Sequence, residues 1–131
     1  MENQKSKNII YWIVTALLCF CMLGGVGQLF QVKQVVDGFK PLGYPTYFIS
    51  IIGFWKILAI IAILIPKFPL LKEWAYAGVF FVMTGASISH IAVNDSAFHI
   101  IVPLVIASLA FCSWYLRPTN RKINFDKVYS N

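Results

Sequence analysis

Charge is what this 131-residue chain has least of: 12% of its residues are charged, and only five of them are acidic. Soluble domains carry about 25% charged residues. With 59% hydrophobic residues and a mean hydropathy of +0.72, the chain has too little polar surface to coat a body in water. Nucleic-acid binding fails on distribution, because ten of the eleven Lys and Arg fall outside the apolar runs rather than along a polar face. Catalytic signatures are missing as well. There is no H-E-x-x-H, and the glycine-rich Gly24-Gly25-Val26-Gly27 lies inside an apolar run with no strand before it. Cys19 and Cys21, two residues apart, project to different helix faces, and Cys112 is also within an apolar run. All three are read as packing residues. His90 and His99 fall on separate predicted helices, so no metal site is expected.

What the chain does have is four apolar runs, at residues 9–30, 46–65, 74–93 and 99–116. A bilayer core of about 30 Å needs roughly 20 helical residues, so each run is long enough to span. None shows the polar stripe that a core helix of a soluble protein presents to water. The first run is too long for a signal-peptide core and no A-x-A site follows it, so it is read as a retained helix. The expected fold is an all-α membrane protein, an antiparallel bundle of four transmembrane helices forming one domain over residues 1–116.

Positive charge sets the expected orientation. Lys5, Lys7, Lys67, Lys72, Arg117, Arg121, Lys122 and Lys127 all fall on one side, against Lys33 and Lys40 on the other. Both termini are therefore expected in the cytoplasm, in a cell (inner) membrane. Trp12, Trp74 and Trp114 lie at the same ends of their helices, as an aromatic belt would place them.

The connections are short, except the first. There Val32, Val35, Val36 and Phe39 repeat at helical spacing, with Lys33, Gln34, Asp37 and Lys40 on the other face. This predicts a short amphipathic helix on the outer surface, ending before Pro41. The turns at Pro66–Pro69 and at Asn94-Asp95-Ser96 force the second, third and fourth helices to be sequential neighbours. Pro103 is expected to bend the fourth helix or delay its start. Gly24, Gly25 and Gly27, and Gly78, Gly85 and Ser89, are read as small residues for close helix packing. Residues 117–131 read as a mobile, polar cytoplasmic tail.

Polar residues within the runs are the candidate site. Lys56 falls near the middle of its run, where a lysine costs about 2.5–3.5 kcal/mol on insertion scales. Its stem reaches about 6 Å, against about 15 Å to the interface, so snorkelling is incomplete, although a harmless lysine is the competing reading. Side chains tilt toward the N-terminus of their helix. By that rule Lys56, His90 and Gln28 aim at one depth in the outer half from three helices, with Tyr44 and Tyr47 just above. No carboxylate shares that depth, which leaves Lys56 without an evident ion partner.

Five stretches together resemble the DoxX-like family of small four-helix membrane proteins. They are Leu42-Gly43-Tyr44-Pro45, Gly53-Phe54-Trp55-Lys56-Ile57-Leu58, Leu64-Ile65-Pro66-Lys67-Phe68-Pro69, Leu71-Lys72-Glu73-Trp74-Ala75-Tyr76-Ala77-Gly78 and Gly85-Ala86-Ser87-Ile88-Ser89-His90. The resemblance implies the four-helix fold. The family's name comes from a membrane subunit linked to quinone-dependent sulfur oxidation, a role that similarity alone does not transfer.

The expected function is an accessory membrane protein that binds a quinone or a lipid in an outer-half pocket lined by Lys56, His90, Gln28, Tyr44 and Tyr47. The alternative is a structural or assembly subunit of a larger membrane complex, with the polar cluster locking helices together. A quinone-linked oxidoreductase subunit is the enzymatic possibility, and no cofactor ligand set supports it. The expected partners are the lipid bilayer and a membrane protein or a second copy of the chain.

Overall fold

The computed structural model describes residues 2–129, and all regular structure among them is helical. The elements are α1 (Glu2–Met22), α2 (Gly24–Leu29), α3 (Lys33–Phe39), α4 (Thr46–Leu64), α5 (Pro69–Ala92), α6 (Ala97–Leu116) and α7 (Phe125–Val128). Four stretches are long and apolar enough to cross a membrane: α1 with α2, then α4, α5 and α6. The shell of this bundle is apolar, with Phe20, Trp55, Phe81, Ile88 and Phe111 all exposed. Such a shell suits hydrocarbon rather than water, and the chain is a multi-pass membrane protein.

The predicted second and third joints hold, with α4 on α5 and α5 on α6. The first span divides its partners, α1 lying on α6 and α2 on α4. The division follows a break at Leu23, beside three glycines that weaken helix continuity. Inside, Leu18, Met22, Ile63, Tyr76, Val79, Met83, Ala107 and Ala110 form the apolar core. One buried polar chain crosses it: Ser113 Oγ lies 2.7 Å from both Thr15 Oγ1 and Tyr76 Oη, joining α1, α5 and α6.

The amphipathic segment is α3. Its polar face carries Asp37 between Lys33 and Lys40, at 3.0 and 2.6 Å, and it ends at Phe39 before a 3-10 turn, with Gly43 at φ 75°. Only glycine takes that left-handed value without strain.

Several boundaries differ from the sequence reading. The third span starts at Pro69, five residues before the run at 74, because proline suits the first helical position, where no backbone donor is needed. α6 starts at Ala97, so Pro103 does not delay it; the proline is buried within an unbroken helix.

The tail is not mobile at its start. Arg117 is 4% exposed and ion-paired to Glu73, and its guanidinium lies over the Tyr76 ring. Arg121 donates to the carbonyls of Ile63 and Leu64 at 3.0 and 3.2 Å and stacks on Trp12. Lys72, fully buried, donates to the carbonyls of Ala62 (2.8 Å) and Ile65. A helix leaves its last four carbonyls without intrahelical donors, and its C-terminus favours cations. Those unmet acceptors at the end of α4 hold Arg121 and Lys72, while Arg117 docks through Glu73.

Candidate functional site

Lys56 follows Gly53 by one turn of α4, and both face α2. A β-carbon on Gly25 would lie 2.7 Å from Lys56 Cβ and 3.3 Å from its Cδ. The aliphatic stem of the lysine therefore runs across a glycine backbone. One turn earlier, a β-carbon on Gly53 would lie 2.5 Å from both the Gly25 carbonyl oxygen and the Leu29 nitrogen. Backbones approach this closely only where small residues meet.

Gln28 packs at the same crossing, its Cβ against Gly53, and is 8% exposed. Its Oε1 is buried without a hydrogen-bond partner. Lys56 is part-buried and, among the described residues, has no hydrogen bond or ion pair. Gln28 Oε1 is thus a buried, unsatisfied acceptor, beside a part-buried Lys56 amine that has no partner among the described residues. Burying polar groups unpaired costs free energy, so they mark a place where a further polar atom would be favourable.

Beside Lys56 a cavity of about 290 Å³ opens between α4 and α5. Trp55, Ala59, Ala62, Trp74, Gly78 and Val82 line it, and Lys56 is its one charged residue. The room comes from small residues facing one another, Ala59 and Ala62 against Ala75 and Gly78. Its walls run from mid-span toward the end of α4 and the start of α5. The cavity thus lies toward the side of the bundle that carries the termini, not in the half holding α3, where the side-chain tilt rule put a pocket.

The other expected members sit elsewhere. The structure does not bring His90, Tyr44 or Tyr47 into contact with Lys56. His90 Nδ1 lies 2.8 Å from Asp95 Oδ2, and His99 Nδ1 lies 3.0 Å from Asp95 Oδ1. A carboxylate accepts only, so each ring donates from Nδ1. His99, the Ser96 amide and His90, in that order, hold the Asp95 carboxyl well below the usual carboxylate range. Tyr44 Oη lies 2.6 Å from Ser89 Oγ and its ring stacks on Phe48. Tyr47 is exposed.

Sequence reasoning gave Gly53 no role, took Asp95 only as a turn residue and Ser89 only as a packing residue. Asp95 was legible in the spacing: it follows His90 by five residues and precedes His99 by four, across a turn that brings both helix ends together. The glycines Gly78 and Gly85, expected to pack, have nothing within 4 Å of a β-carbon built on them. The tight crossing belongs to Gly25, which was expected to pack, and to Gly53, because α2 leans on α4.

A model of the DoxX-like family matches residues 13–113, from within α1 almost to the end of α6. No curated protein and no solved structure gives a match. Since the matched stretch reaches into all four spans and takes in both the glycine crossing and Lys56, the chain belongs to the DoxX-like family.

Proposed function

We propose that the protein resides in the inner membrane with both termini cytoplasmic and binds a quinone or a lipid in the groove beside Lys56. The observation that carries this reading is a mid-span lysine with no partner among the described residues, on the wall of an otherwise apolar cavity. Ionisable residues at such depth face cavities or polar partners, since lipid offers neither hydrogen bonds nor hydration. The amine would donate to a quinone carbonyl or a lipid phosphate, and the apolar walls would take the ring or chain. At about 290 Å³ the cavity is near the lower limit of small-molecule sites, and its open side lets a tail run out among lipid chains. Gln28, also expected at the site, packs at the glycine crossing and does not line the cavity. The excess of Lys and Arg on the side of the termini supports a groove in the cytoplasmic half of the bilayer. His90, Tyr44 and Tyr47 take no part.

The test is purification in mild detergent and mass spectrometry of the extracted small molecules, comparing wild type with Lys56→Met. Wild type should retain one lipid or quinone species and the variant should lose it. Thermal stability should hold or rise, since an apolar chain replaces an unpaired amine. An empty wild type, or equal retention by the variant, would overturn the reading. The competing role is that of a structural or assembly subunit of a larger membrane complex. That role predicts a protein copurifying in fixed ratio.

A further inference from the structure

We propose that His90, Asp95 and His99 form a binding site for one divalent transition-metal ion of the zinc class, at the turn between α5 and α6. One ligand atom from each residue lies within 4.8 Å of the other two. The three come from separate points of one hairpin: the last turn of α5, the connecting turn and the first turn of α6. Their positions are therefore set by backbone rather than by flexible loops. The Asp95 amide donates to the His90 carbonyl at 3.0 Å, the Ser96 amide donates to Asp95 Oδ1 at 2.6 Å, and Asn94 turns the chain at φ 53°.

The donor set fits the ion class. Two imidazoles and one carboxylate suit zinc, copper or nickel, whereas magnesium and calcium prefer oxygen ligands throughout. Three protein ligands with an open fourth position is the arrangement of accessible zinc sites. The ring nitrogens now lie 2.8 and 3.0 Å from the Asp95 oxygens, each pair bridged by a proton. Around a tetrahedral ion with bonds of about 2.0–2.1 Å, neighbouring ligand atoms stand about 3.4 Å apart. Side-chain rotation must open each ring–carboxylate pair by about half an ångström and close the widest pair, now within 4.8 Å, by up to about 1.4 Å. The ion takes the place of the two bridging protons, and each neutral ring then carries its proton on Nε2. The His90 and His99 rings already lie 5.5 Å apart at an interplanar angle of 32°. Access is open, because the His99 side chain is 55% exposed while His90 and Asp95 are largely covered. Water or the Ser96 hydroxyl, 3.3 Å from His99 Nδ1, would complete the coordination.

This site stands apart from the groove at Lys56, and its failure would leave the reading of that groove untouched. The experiment uses the full-length chain without an affinity tag, in mild detergent and stripped with chelator. It is titrated with ZnCl2 by calorimetry and with CoCl2 by visible absorption. The expected result is saturable uptake of one Zn²⁺ per chain and the absorption of tetrahedral Co²⁺. His99→Ala, an exposed side chain whose loss spares the fold, and Asp95→Asn should each weaken uptake at least tenfold. Circular dichroism on both variants confirms that they are folded. No saturable uptake by wild type overturns the site and leaves a hydrogen-bonded clasp between the two helices. Uptake equal in His99→Ala, or abolished by alkylating the three cysteines, overturns it too.

Discussion

Gly25 of α2 and Gly53 of α4 cross so closely that a β-carbon on Gly53 would sit 2.5 Å from the Gly25 carbonyl oxygen. A β-carbon on either would meet backbone or the Lys56 stem, so the crossing closes only because neither residue carries a side chain. The crossing carries Lys56 and Gln28 on its flanks, so the candidate site depends on two residues that hold no chemistry themselves.

Gly53→Ala should force the two helices apart, because the atoms it meets are backbone and cannot rotate away. Overpacking of this kind costs about 1–3 kcal/mol. Thermal unfolding in detergent should show a lowered midpoint for Gly53→Ala and none for Gly78→Ala, whose β-carbon meets nothing. Equal midpoints for wild type and Gly53→Ala would remove the crossing.

Glu73→Ala should destabilise the bundle by about 1.5–3 kcal/mol, the range for a hydrogen bond to a charged group. The loss leaves the buried Arg117 guanidinium without its carboxylate and removes the acceptor of Trp114 Nε1 at 2.6 Å. A double-mutant cycle with Arg117→Ala measures the coupling. Additive losses would show that the tail does not dock through this pair.

Asp37 gives a pH signature on α3. Lys40 first and then Lys33 hold its carboxyl below the ordinary range, so its folded pKa lies under the unfolded value of about 3.9. The stability it contributes is present above that value and is lost as pH falls through the folded pKa. The pair is exposed, so the effect is local. Amide exchange of α3 should be slow at neutral pH and quicken below about pH 4. A carboxyl titration midpoint at or above 3.9 would contradict the pairing.

Reporter fusions check the orientation. A fusion after Asn131 should be active only with a cytoplasmic reporter, and one placed near Asp37 only with a periplasmic reporter. The reverse pattern would move the groove at Lys56 to the outer half of the bilayer.

The four spans were legible because hydropathy is a local sum: twenty apolar residues need a bilayer whatever they touch. The amphipathic α3 was legible because its charges alternate with valines at helical period. Lys56 was legible as an anomaly, one charge in a run that otherwise has none. Its neighbours were not. A span that is apolar all round has no stripe to say which face turns inward, so helix rotation is undetermined by the pattern. That rotation decides whether His90 meets Lys56 or Asp95, and whether Gly78 or Gly25 lies against a backbone. The docking of Arg117 and Arg121 was hidden for a related reason. Their charge predicts solvent, while Arg117 is drawn in by Glu73 at the start of α5, and Arg121 by the last carbonyls of α4, acceptors that exist only once that helix has formed and ended beside it. The sequence by itself determined the membrane, the number of spans and the odd lysine, each a property of a single segment. Only the tertiary structure decided which side chains meet, because contact between helices depends on their rotation and distance, and at Gly25 and Gly53 on the absence of two methyl groups.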